Sequence, residues 1–94
     1  MIVDFPGGSR VDAQFGSFVV KTDQPVKNGG ENSAPAPFDL FLVSLATCAG
    51  IYVLGFCRTR GIPTDGIRLI QKLERNPTTK MVSKIMLEIQ LPGG

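Results

Sequence analysis

Histidine and tryptophan are both absent from this 94-residue chain. Without histidine, Ser-His and Cys-His nucleophile pairs and imidazole general bases are excluded, together with the commonest metal ligand. Cysteine is scarce. Two thiols, Cys48 and Cys57, close no four-ligand zinc site by themselves and build no disulfide scaffold. No metal and no cofactor is therefore expected. Charge is also thin: 10 Lys and Arg against 8 Asp and Glu leave a net +2. The basic residues are scattered rather than interleaved with the six Phe and one Tyr, which argues against a nucleic-acid partner. The first residues lack the charged-then-apolar layout of a secretory leader, so the expected setting is the cytoplasm, with thiols reduced.

What the chain does have is ordinary globular composition, 43% hydrophobic and 19% charged, enough for one small domain over residues 1–94. The opening third reads as a strand meander. "MIVDF" meets the turn signal "PGGS"; "RVDAQF" alternates, with Val11, Ala13 and Phe15 on one side; Gly16 and Ser17 turn into "FVVKTD". Residues 24–36, rich in Pro, Gly, Asn and Ser, read as a connecting loop. The last third reads as a second hairpin. Ile67, Leu69 and Leu73 share one face, "NPTTK" turns, and "KIMLEIQLPGG" puts Ile85, Leu87, Ile89 and Leu91 on one side.

Between the two sets of strands lies an apolar run from Leu40 to Cys57. Pro37 suits a first helical turn, where its missing N–H has no partner to lose, and Gly61 suits a helix stop, so a helix is expected over about 37–60. Two readings fit it. About twenty apolar residues span a bilayer, and Arg58 and Arg60 would sit at its flank. Alternatively the amphipathic strands on either side cover a buried core helix, with Ser44, Ala46, Thr47, Ala49 and Gly50 permitting close packing. The strands favour the second, and no membrane association is expected.

Nine residues along this helix amount to about 900°, half a turn net, with a rise of about 13.5 Å. A disulfide requires Cα atoms within about 7 Å, so Cys48 and Cys57 do not bond to each other within one helix. Cys57, beside Leu54 and Phe56, reads as a buried apolar residue, whereas Cys48 has small neighbours that leave room for a substrate.

The segment "APAPFDLFLVSLATCAGIYVLGFCRTRGI" resembles the OsmC/Ohr proteins, the osmotically inducible and organic hydroperoxide resistance family. Pro37, Phe38, Asp39, Leu40, Leu42, Leu45 and Cys48 carry the resemblance. It implies an α+β fold of antiparallel strands, a long buried central helix and a second hairpin, completed by interlocking two chains into a homodimer or a higher homo-oligomer. For the peroxidase members it further implies a thiol, here Cys48, that reduces organic or fatty-acid hydroperoxides and is restored by a dithiol reductant. An arginine holds the thiolate and a carboxylate holds the arginine; Arg10 and Asp39 are the residues available for those roles.

This sequence departs from the pattern in three respects. Phe38 stands where the peroxidases carry the acid after the proline, and the family's resolving cysteine lies on a later helix that Cys57 does not match. No local motif marks Arg10. The resemblance covers the N-terminal two-thirds of a usual member, which suggests a shortened relative or a truncated product. A second function therefore stays open: a non-catalytic module of the same fold that binds an apolar ligand or serves in assembly.

Overall fold

The computed structural model describes residues 1–92; Gly93 and Gly94, the close of the last expected strand run, lie outside the described residues. The chain folds as two compact units, Met1–Val43 and Ser44–Gly94.

The first unit holds a three-stranded antiparallel sheet of β1 (Ile2–Gly7), β2 (Arg10–Phe15) and β3 (Phe18–Thr22), in that order. Strand β1 runs through Pro6, further than "MIVDF" suggests. Pro6 is tolerated because β1 is an outer strand, and the register shifts between Asp4 and Gly7. Across the β2–β3 turn Phe15 faces Phe18, their ring centroids 5.7 Å apart.

The segment read as a loop is built around one carboxylate. Asp23 is 1% exposed. Its Oδ1 accepts the Gln24 N–H at 2.7 Å, and its Oδ2 accepts the Ser33 hydroxyl and the Ser33 N–H. The chain is closed further by Asp23 N–H to Pro35 O and Asn32 N–H to Gln24 O, with a short 3₁₀ turn at Val26–Asn28. The Ser33 hydroxyl, then the Ser33 and Gln24 amides, favour the ionised carboxylate and lower its pKa from 3.8 to about 2. An unfolded chain takes up this proton near pH 3.8, whereas the folded chain holds out until about 2. Asp23 thus contributes its full stability above pH 4 and loses it as the pH falls through 2. In denaturant melts at stepped pH, Asp23→Asn is expected to be less stable than the parent at neutral pH, the gap narrowing between pH 4 and pH 2.

Helix α1 (Pro37–Thr59) ends one residue before the expected bound. Gly61, at φ 66°, makes the left-handed exit, with Ile62 N–H donating to Cys57 O and Gly61 N–H to Arg58 O. In the second unit, β4 (Arg68–Arg75) pairs antiparallel with β5 (Val82–Gln90). The register sets Leu69 opposite Ile89, Gln71 opposite Leu87 and Leu73 opposite Ile85, which places the expected apolar residues on one face. Asn76 shapes the turn by accepting the N–H groups of Thr78 and Thr79. Within a single chain the helix is covered along one stripe only. Cys57 and Leu42 are buried, while Phe41, Ile51, Tyr52 and Phe56 are each more than half exposed.

Candidate functional site

The two thiols have opposite surroundings. Cys48 is exposed on α1 among Thr47, Ala49 and Gly50, and Cys57 is buried at 5% exposure; the two form no disulfide with each other. Half a helical turn separates them, so one faces reagents and the other does not.

Arg10 opens β2. Its Nη2 donates to both carboxylate oxygens of Asp12, at 3.0 and 2.9 Å. Two residues along a strand return to the same face, so the R-x-D spacing itself makes this pair. The carboxylate that holds Arg10 is therefore Asp12, which no motif singles out although the strand alternation contained the signal. The Arg10 Nε is buried without a partner, beside a cleft of about 360 Å³ lined by Gly7, Gly8, Ser9, Gly29 and Glu31.

Asp39 does different work. Its Oδ2 accepts the Ala36 N–H at 3.2 Å while Asp39 N–H donates to Ala36 O at 3.0 Å, the reciprocal bonds of a helix start. Arg10 and Asp39 both belong to the first unit, and Arg10's ion pair there is with Asp12. Phe38 lies against Phe41, ring centroids 6.0 Å apart. Among the described residues no three His, Cys, Asp or Glu side chains converge as a metal site.

The second unit contains an apolar groove of about 650 Å³ lined by Tyr52, Val53, Phe56, Cys57, Ile62, Ile67, Ile89 and Leu91. Nothing in strand or helix periodicity announces it, because it forms where α1 and the β4–β5 hairpin leave a gap.

An α+β domain with one long apolar helix, an exposed thiol partway along it and antiparallel strands on both sides in sequence defines a narrow class. The chain belongs to the OsmC-like protein family, whose model matches residues 30–94. Its structure is similar to that of a Psychrobacter arcticus 273-4 protein named for osmotic stress induction and a detoxification response. The TM-score is 0.77 at 27% identity, covering 94% of this chain and 66% of that one, so this chain spans just under two thirds of that protein's length. No curated protein matches.

Proposed function

We propose that this OsmC-like stress protein reduces organic hydroperoxides, fatty-acid hydroperoxides among them, through Cys48. The observation that carries the reading is the exposure of Cys48, among small side chains, on the central helix of an OsmC-like domain. The Cys48 thiolate attacks one oxygen of the O–O bond. That bond breaks, the sulfur, oxidised by two electrons, keeps the hydroperoxide's hydroxyl as a sulfenic acid, and the departing alkoxide takes a proton from water to leave as the alcohol. A dithiol then condenses with the sulfenic acid, releasing water, and its second thiol displaces Cys48 as the thiolate, leaving the reductant as a disulfide. Asp39, already engaged at the helix start, supports the helix that carries the sulfur.

The partner is a second copy of this chain. Phe41, Ile51 and Tyr52 are too exposed and too apolar for a helix that stays in water alone. The helix is long and apolar enough to cross a membrane, at mean hydropathy 2.2. We assign it instead to the core of a cytoplasmic homodimer, because the matched fold covers nearly all of this chain, helix included.

The test is chemical trapping. After brief exposure to cumene hydroperoxide, a dimedone adduct is expected on Cys48 and not on Cys57 by peptide mass spectrometry. Adducts on neither sulfur would favour the non-catalytic module, which Phe38 in the acid position supports.

A further inference from the structure

We propose that Asn28 is a self-modification site: the Gly29 amide nitrogen closes on its side chain and converts it to isoaspartate, which loosens the loop built around Asp23. The chain has three asparagines, and the structure separates them. Asn76 precedes Pro77, whose nitrogen has no proton to lose, and its Oδ1 already accepts the Thr78 and Thr79 N–H groups. Asn32 precedes Ser33, whose N–H donates to the buried Asp23 carboxylate and whose Cβ crowds the nitrogen. Asn28 has neither protection. It is exposed, and its carboxamide makes no hydrogen bond among the described residues.

The turn itself demands a glycine next. Gly29 sits at φ 90°, in the left-handed region that side chains disfavour, and the same missing Cβ leaves its nitrogen open to the Asn28 side chain. The Gly29 N–H donates to Val26 O at 3.1 Å. Both residues are exposed at the end of a three-residue 3₁₀ turn, so local opening frees the nitrogen.

The reaction consumes only water. Hydroxide takes the amide proton, and the Gly29 nitrogen bonds to the side-chain carbonyl carbon of Asn28. The carbon–nitrogen bond of the carboxamide breaks, and the departing nitrogen takes a proton from water to leave as ammonia. A second water opens the resulting cyclic imide at either carbonyl, giving isoaspartate or aspartate.

Isoaspartate routes the main chain through one extra methylene, beside a residue with no room to move. Gly30 is seated so closely against Gln24 O and Asp23 Oδ1 that a Cβ finds no space there, and its N–H donates to Pro25 O. A longer backbone at position 28 displaces Gly29 and Gly30 together. With them go the Ser9 hydroxyl bond to Gly29 O and the Glu31 and Ser33 amides that hold Asp23. The inference rests on neither Cys48 nor a second copy.

Warm incubation of the intact chain at mildly alkaline pH tests it. Fragmentation mass spectrometry should place a gain of about 1 Da on Asn28, with Asn32 and Asn76 unchanged over the same period. An isoaspartyl methyltransferase should transfer the methyl group of labelled S-adenosylmethionine to that position. The converted fraction, separated by anion exchange on its added charge, should melt at least about 4 °C below the parent. Asn28→Ser keeps a turn-forming residue but lacks the carboxamide, so it should accept no methyl group and hold its melting temperature throughout. Three results would overturn the proposal. One is no conversion at Asn28; another is conversion of Asn32 at the same rate, which denies the folded loop any selection. The third is a converted fraction that melts with the parent, which shows that the loop tolerates the longer backbone.

Discussion

Gly30→Ala is expected to lower the melting temperature by more than about 10 °C, a larger effect than its single added carbon suggests. A Cβ at position 30 would collide with Gln24 O and stand 2.8 Å from Asp23 Oδ1. Neither atom is the far end of a flexible side chain. Gln24 O accepts the Asn32 N–H, and Asp23 Oδ1 accepts the Gln24 N–H, so moving either one opens the loop that the carboxylate organises. Overpacking costs about 1–3 kcal/mol, and exposing buried bonds adds to it. A domain this size loses about 4–8 °C per kcal/mol, which yields the expected shift. Gly55→Ala is the contrasting variant: nothing lies within 4 Å of its added carbon, and alanine in a helix interior gains up to about 1 kcal/mol over glycine. Equal melting temperatures for Gly30→Ala and the parent, by calorimetry or circular dichroism, would show that Asp23 does not hold the loop.

Cys48→Ser should abolish hydroperoxide turnover, with a fall of at least about a thousandfold in the rate of cumene hydroperoxide consumption with dithiothreitol or lipoamide. Serine keeps the size and the helix but has no thiolate to attack the O–O bond. Cys57→Ser removes a thiol that is 5% exposed, and should leave turnover within a factor of about two of the parent. Since Cys57 is packed in hydrocarbon, its serine variant also loses some stability, so the comparison is made well below its melting temperature. Retained activity in Cys48→Ser ends the peroxidase reading. Loss in Cys57→Ser alone would transfer the chemistry to the groove. A fall in both would mean that the sulfurs of two chains cooperate, which the half-turn between them forbids within one helix.

Much of the framework was legible in the chain. Val11, Ala13 and Phe15 alternate, Leu69 and Leu73 answer Ile89 and Ile85, and the helix between Pro37 and Gly61 is bounded within a residue by its own end signals. These are local matters, decided by side-chain period and by backbone preferences at the two ends. The contrast between the thiols was also legible, because neighbours along a helix set the space around each sulfur.

The rest was decided at a distance. Residues 24–36 read as a loop because Pro, Gly and Asn are all that periodicity detects there. The order comes from Asp23, whose burial depends on amides up to ten residues away. Arg10 needed a carboxylate and the resemblance offered Asp39; the strand supplies Asp12, two residues along, while Asp39 is spent on the first turn of the helix. The groove beside Cys57 is a gap between elements and belongs to no single one of them. The order of residues alone determined the α+β elements, their faces and which thiol has small neighbours, since each follows from groups close together along the backbone. Tertiary structure alone decided which charges meet and where apolar surface is left uncovered, because both require distant stretches to come within a few ångströms of each other.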